Sequence, residues 1–327
     1  MGEQAFEVLE PGLFTTVQDL GRDGYIATGI PPSGAMDEVS LRLGNLLVGN
    51  PPGEAGLEMT VIGSKLKFLK GCLIAATGAD MQATLNGEPL PLWQAEVVKE
   101  GDLLAFGVVR EGCRAYLSIA GGIDVPAQLG SKSTYVMGRL GGYRGRALKT
   151  GDILEAGAPR EPIGELAGRR LKPELIPSYP SEAELRVILG PQDDYVDEKG
   201  IATFLGEVYT VSSKADRVGY RFEGPPLSFR EMDKPLEAGS DPSNIVDDGI
   251  PVGGMQIPAG LEIICMGRDG VTMGGYAKVA CLIRADMERM GQLKTNDRVR
   301  FRAVSHEEAE RALREQLSRA APENITG

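Results

Sequence analysis

Four short stretches of this chain return in the same order in its second half, and that repetition limits the folds open to it more than any other feature. Thr16-Val17 with Arg22-Asp23-Gly24-Tyr25 returns as Thr210-Val211 with Arg217-Val218-Gly219-Tyr220, the second spacing being longer by a residue. Ile30-Pro31-Pro32-Ser33-Gly34 returns as Ile250-Pro251-Val252-Gly253-Gly254, and Ala120-Gly121-Gly122-Ile123 as Met273-Gly274-Gly275-Tyr276. Leu148-Lys149-Thr150-Gly151-Asp152 returns as Leu293-Lys294-Thr295-Asn296-Asp297. Any one of these strings arises easily by chance. Four in one order argue for two related modules.

The modules are expected to be mainly β. The chain has 44 glycines and 21 prolines, which break it into short apolar runs too brief for buried helices. LEMTVIG, KLKFL, CLIAATG, MQATLNG and RAYLSIAGG read as strands, and Asn86-Gly87 as a type I′ hairpin turn. Few helices interrupt this pattern. One is expected from about Asp37 to Val48, with Asp37 as N-cap and Val39, Leu43, Leu46 and Leu47 on its apolar face. Another follows Ser305, whose spacing to Glu308 makes a capping box. The expected organisation is a first β-barrel module over 1–165, a linker over 166–182, and a second module with a C-terminal helix over 183–327.

The composition narrows the chemistry. A net charge of −11 argues against nucleic acid or an anionic membrane as partner. No apolar stretch of signal or membrane-spanning length occurs, so a cytoplasmic location is expected. Cys72, Cys113, Cys265 and Cys281 form no CxxC pair and lie in apolar contexts, as buried reduced thiols do. The single histidine, His306, falls in the first turn of the C-terminal helix. Histidine triads and histidine metal sites are therefore not expected, and no metal ligands are assigned. Chemistry falls to carboxylates, Lys, Arg, Tyr, hydroxyls and backbone amides.

Those groups are densest in Arg268–Lys278, RDGVTMGGYAK, a polar glycine-rich connection between apolar strands where backbone can approach a ligand. On a continuous strand Tyr276 and Lys278 share a face, with Ala277 opposite. Arg217 and Arg22, at similar places in the two modules, suit an anion or a structural ion pair equally. Asp37, Asp269 and Asp19 stand beside glycine loops. Gly130–Thr134, GSKST, fails as a P-loop because Ser131 separates Gly130 from Lys132. No GxGxxG opens a helix after a strand, so no dinucleotide fold is expected.

TVQDLGRDGY, GIPPSGAMD, LRLGNLLVGN, TGADMQATLNG, RAYLSIAGGIDVPAQLGSKST, GRALKTGD, TVSSKADRVGY, VGGMQIP and TMGGYAK together resemble the biotin-dependent carboxyltransferase family, also called allophanate hydrolase subunit 2. This group includes the Kip antagonist and the C subunit of 5-oxoprolinase. The likeness runs over roughly residues 6–305. It implies tandem cyclophilin-like β-barrels and work in a hetero-oligomeric complex. Together with the 5-oxoprolinase A and B components (B being the Kip inhibitor homologue), ATP and Mg2+ drive opening of 5-oxoproline to glutamate. A related domain moves a carboxyl group from carboxybiotin to urea. This chain has no Ala-Met-Lys-Met sequence, so biotin would come on a separate carrier. A third reading is a non-catalytic regulator of a Kip-inhibitor-like partner.

On that resemblance Asp269, Tyr276, Lys278 and Arg217 are the expected catalytic residues. Gln256, Thr272, Gly274, Gly275, Ser33 and Asp37 are expected to bind substrate or an anion. Arg217 and Lys278 would hold anionic groups, Gly274-Gly275 amides would stabilise developing charge, and Asp269 would ligate magnesium or act as base. Gln256 and Tyr276 would orient the substrate. The chain departs from the family pattern at Ala27 (commonly His), Gly270 and Val271 (commonly Arg and Gln) and Lys132 (commonly Arg).

Overall fold

A computed structural model describes residues 2–327. The expected mainly β architecture holds, with few helices. The chain forms two compact units: residues 2–22, 33–179 and 316–327 make the first, and residues 23–32 and 180–315 the second.

In the first unit most strands fall into two antiparallel sheets. One runs in the order Ile153–Ala156, Glu3–Glu10, Lys65–Phe68, Leu103–Ala105, Thr84–Leu85, Glu88–Pro89. The other runs Phe14–Gln18, Gly56–Thr60, Glu111–Ile119, Cys72–Asp80, Ala95–Val98. Alternate residues of both, among them Phe6, Phe68, Leu57, Met59, Ile74 and Leu117, meet in one apolar core. Asn86 and Gly87 both have positive φ, 54° and 90°, as the type I′ turn between short strands requires. The helix Glu38–Leu47 forms as expected, capped by Asp37, and buries Val39 and Leu43 against Trp93 and Leu171. Leu46 is only half-buried, and Leu41 takes the fully buried place instead.

The stretch 166–179 packs within the first unit. Leu166 and Leu171 are buried, and Arg170–Leu171 pairs with Ile325–Thr326. Its Pro, Gly and charge content suggested a linker. Two buried leucines and a pairing partner near the C-terminus, both beyond the reach of local pattern, anchor it instead.

In the second unit seven strands close into a barrel: Glu182–Leu189, Lys278–Leu282, Gly254–Gln256, Glu262–Met266, Gly219–Glu223, Tyr209–Val211 and Arg298–Ala303. A parallel pairing of Arg298–Ala303 with Glu182–Leu189 closes the circuit. Phe301 fills the interior, 4.9 Å from the stacked Phe204 ring and 5.3 Å from both Tyr209 and Phe222. Outside the barrel, Asn244–Gly249 and Met273–Tyr276 form a separate two-stranded ribbon.

One duplicated motif has an identical turn in both units. Asp152 accepts from the Lys149 amide at 2.7 Å and Asp297 from the Lys294 amide at 2.9 Å, with Gly151 and Asn296 both left-handed. Glycine and asparagine tolerate that conformation best, which explains the interchange. Lys99–Asp102 repeats the turn a third time, around Gly101.

Candidate functional site

Lys278 opens a barrel strand and faces Gln256 in the neighbouring strand. Its residue is 1% exposed, and its ammonium meets Asp248 Oδ2 at 2.9 Å. That is the one hydrogen-bond acceptor of Nζ among the described residues. A buried ammonium must be paired, and here the counter-charge comes from the ribbon, on a side chain that is itself 51% exposed. Gln192 ties the pair together. Its backbone N–H donates to Lys278 O, its Oε1 accepts from the Lys278 amide, and its Nε2 donates to Asp248 Oδ2 at 3.1 Å. The hydrogen bond from Lys278, then those from the Gly249 amide and Gln192, hold the Asp248 carboxyl below the usual carboxylate range.

The buried Gln256 amide completes this cluster, donating weakly to Tyr276 O at 3.4 Å. The two glycines have separate steric reasons. A Cβ at Gly274 would stand 2.9 Å from Gln256 Nε2 and from Ile250 Cδ1, whereas one at Gly275 would stand 2.9 Å from Asp247 Oδ1. Gly274 therefore lets the ribbon lie on Gln256, and Gly275 lets Asp247 cross it. Tyr276 and Lys278 do not share one environment, contrary to the strand periodicity. Tyr276 ends the ribbon 41% exposed, Lys278 begins a barrel strand buried, and the fully buried Ala277 breaks the alternation between them.

Arg217 and Asp269 come together, but with each other. Nε donates to Oδ2 at 2.8 Å and Nη2 to Oδ1 at 3.1 Å, and the side chains are 5% and 8% exposed. The Asp269 amide also donates to Arg217 O, and the Gly267 amide to Val218 O. The pair lies beyond the end of the strand pair where Gly219 faces Met266, while Lys278 faces Gln256, two register steps inward at Ile264. Both oxygens of Asp269 are committed to the guanidinium, so it is arranged neither as a magnesium ligand nor as a base. The ion-pair alternative for Arg217 is the one the geometry supports.

Thr272 accepts the Ile250 amide through its carbonyl and lines a small cleft with Gly270, Val271, Pro251, Ile26 and Pro32. A Cβ at Gly270 would lie 3.0 Å from the carbonyl oxygens of both Gly267 and Val218. A side chain at this position would need these carbonyls to give way by a few tenths of an ångström.

Ser33 and Asp37 belong to the first unit and to its framework. Asp37 caps the helix, accepting from the Ser40 amide at 2.9 Å and the Ser40 hydroxyl at 2.6 Å, with Tyr179 Oη at 3.3 Å. Its own amide donates to Tyr116 Oη, which donates onward to Glu58 at 2.7 Å. Burial, and then the charge of Glu58, push the Tyr116 phenol far above its ordinary range. Ser33 is fully buried with φ 54°, a left-handed link leading into the helix cap. GSKST is no anion cradle. Asp19 accepts from both Ser131 and Ser133 hydroxyls and from the Lys132 amide, and Lys132 Nζ reaches Glu54 at 2.8 Å. The buried Arg22 guanidinium donates to Ser133 O.

Sequence reasoning missed Asp248 and Gln192. The doublet Asp247-Asp248 before Gly249 was visible as acids beside a glycine. Its partner lies 30 residues on, and nothing local marks that pairing. The candidate residues do not fit ATP and magnesium: the Ser131 and Ser133 hydroxyls serve Asp19, that of Thr134 serves Val17 O, and Asp269 serves Arg217. Among the described residues no three His, Cys, Asp or Glu side chains gather as a metal cluster. No described helix is long and apolar enough to cross a membrane.

Known proteins share this fold. The urea amidolyase of Lachancea kluyveri is 37% identical over 95% of this chain, which spans only 17% of that protein. The crystal structure of the K. lactis urea amidolyase superposes with a TM-score of 0.91 at 35% identity, covering all of this chain and 21% of that one. This chain thus corresponds to about a sixth to a fifth of the urea amidolyases. The C subunit of Escherichia coli 5-oxoprolinase is 33% identical over 95% of this chain and 94% of its own length. The family described as carboxyltransferase domain, subdomain A and B, matches residues 28–303. The chain belongs to that carboxyltransferase-domain family.

Proposed function

We propose that this chain is the C subunit of an ATP-dependent 5-oxoprolinase, acting with the A and B components to open 5-oxoproline to L-glutamate. The observation that carries the reading is the buried Lys278 ammonium, closed by a half-exposed carboxylate that Gln192 also holds, on a residue facing the buried Gln256 across the strand pair. That set suits a small ligand carrying both an anionic group and a planar amide. The end-to-end likeness to a stand-alone 5-oxoprolinase C subunit supports the same choice. Lys278 holds the substrate carboxylate, Gln256 orients the lactam, and Tyr276 stands at the rim. Ring opening breaks the C–N bond of the lactam, adds a water oxygen to the carbonyl carbon and leaves the nitrogen as an amine. ATP and Mg2+ belong to another component in this reading, since Ser131, Ser133 and Asp269 are otherwise engaged.

The test is glutamate release from 5-oxoproline with ATP and Mg2+ by the co-purified A, B and C components, each omitted in turn. Turnover should need this chain and should fall at least about a hundredfold with Lys278→Met in an intact complex, the scale of losing a positioned charged contact. Turnover that persists without this chain sinks the reading. The likeness to urea amidolyase favours one alternative, carboxyl transfer from a separate biotin carrier to urea. A complex inert with 5-oxoproline but carboxylating urea with a biotinylated carrier supports it. A complex inert with both, in which this chain only inhibits its partner, indicates a regulator.

A further inference from the structure

We propose that Asp248 is a resident substitute for the ligand's own carboxylate: it closes Lys278 when no ligand is bound and is displaced by a carboxylate-bearing ligand. The site thereby selects anionic amides over neutral ones. This rests on the reading of Lys278 as the substrate-binding cation.

The argument starts from the barrel. Among the described residues Lys278 Nζ has no anionic partner on the barrel strands, and the polar side chains beside it, Gln256 and Gln192, are neutral amides. Its counter-charge arrives from the ribbon outside the barrel. The two ends of that ion pair are solvated very differently: the lysine is 1% exposed and the Asp248 side chain 51%. Moving Asp248 away carries a carboxylate into water it already half occupies, at little cost. Leaving Lys278 without any anion is expensive, because a buried ammonium then loses its only counter-charge. A ligand carboxylate arriving in the same place takes over the two donors on Asp248 Oδ2, Lys278 Nζ and Gln192 Nε2, while the Gly249 amide stays with Oδ1. A neutral amide such as urea cannot make that exchange and must bind with the ion pair intact. The neighbouring Asp247 supplies a control within the same strand, since it crosses Gly275 and its carboxylate is not an acceptor of Lys278.

The test measures equilibrium binding of 5-oxoproline, acetate and the neutral lactam 2-pyrrolidinone to the full-length chain at low salt. Asp248→Asn removes the competing charge and keeps the shape. It should bind both carboxylates at least about tenfold tighter than wild type, the scale of one charge-assisted hydrogen bond. Pyrrolidinone should bind both forms alike. Asp247→Asn, which removes the same charge from the ribbon, should behave as wild type. Lys278→Met should bind neither carboxylate. The proposal is overturned if Asp248→Asn is no tighter, if Asp247→Asn gains as much, if Lys278→Met retains carboxylate binding, or if no form binds either carboxylate. Acetate reports the exchange even if 5-oxoproline proves not to be the substrate, so this outcome and the turnover assay fail separately.

Discussion

Replacing Asp269 by asparagine distinguishes a working carboxylate from a structural one. Both of its oxygens are held by Arg217, at 2.8 and 3.1 Å, and neither side chain is more than 8% exposed. Asparagine keeps the shape but leaves the guanidinium buried beside a neutral group. Breaking a buried pair from one side costs about 3–5 kcal/mol, mostly for the charge left behind. Removing both charges together, in Arg217→Met with Asp269→Leu, should cost far less, since apolar replacement of a whole buried pair is often close to neutral. Urea unfolding followed by far-UV circular dichroism measures each variant and the coupling between them. Amide exchange adds a local record at Asp269 and Gly267, whose N–H groups donate to Arg217 O and Val218 O. The sole tryptophan, Trp93, lies in the first unit, so its emission follows that unit separately. Unfolding of Asp269→Asn within about 1 kcal/mol of wild type, with unchanged exchange at both amides, would refute a structural role worth the roughly 3–5 kcal/mol expected.

Three further outcomes follow from the geometry. Gly274→Ala should disturb turnover of the assembled complex several-fold, because its Cβ displaces the buried Gln256 amide and Ile250, while Gly275→Ala meets chiefly the exposed Asp247 and should stay near wild type; steady-state kinetics on both variants decide it. Asp37→Ala should cost about 2–3 kcal/mol, combining a lost N-cap with a stranded Ser40 hydroxyl, whereas Asp37→Asn, itself a good cap, should recover most of it. Trp93 emission reads this directly, since Trp93 packs on Val39 and Leu43 of the capped helix. The Asp248 carboxyl is held low by Lys278 first, so its contribution to stability is full above the unfolded value near pH 4 and is lost as pH falls through the lower folded value. The urea midpoints of wild type and Asp248→Asn should therefore differ at about pH 6 and converge below about pH 4; a gap that persists unchanged at about pH 3 contradicts the pairing.

Much of the local structure was legible because its causes are local. The Asn86-Gly87 turn, the Asp37 cap and the repeated Lys-to-Asp turns each depend on residues within a few positions, where backbone sterics and one short side chain decide the outcome. The Ser305 cap and the exposed His306 belong to the same class. Alternation failed at Ala277, where two strands of different sheets meet end to end and the period of two restarts. Composition misled at residues 166–179, whose Pro, Gly and charge content suggested a linker although Leu166 and Leu171 are buried.

The candidate site divides along the same line. Lys278, Gly274 and Gly275 were apparent from one glycine-rich stretch, because a chain with a single, exposed histidine must use such groups, whereas Gln256 came only with the family resemblance. Their partners were not apparent. Arg217 lies 52 residues from Asp269, and Asp248 lies 30 residues from Lys278. Sequence alone determined that the chain is a glycine-punctuated, mainly β protein with carboxylates, a lysine and amides as its chemical means. Only the tertiary structure decided which carboxylate neutralises which cation. Barrel closure sets which charges lose their water, and a charge without water takes whatever counter-ion the folded chain brings within hydrogen-bonding reach.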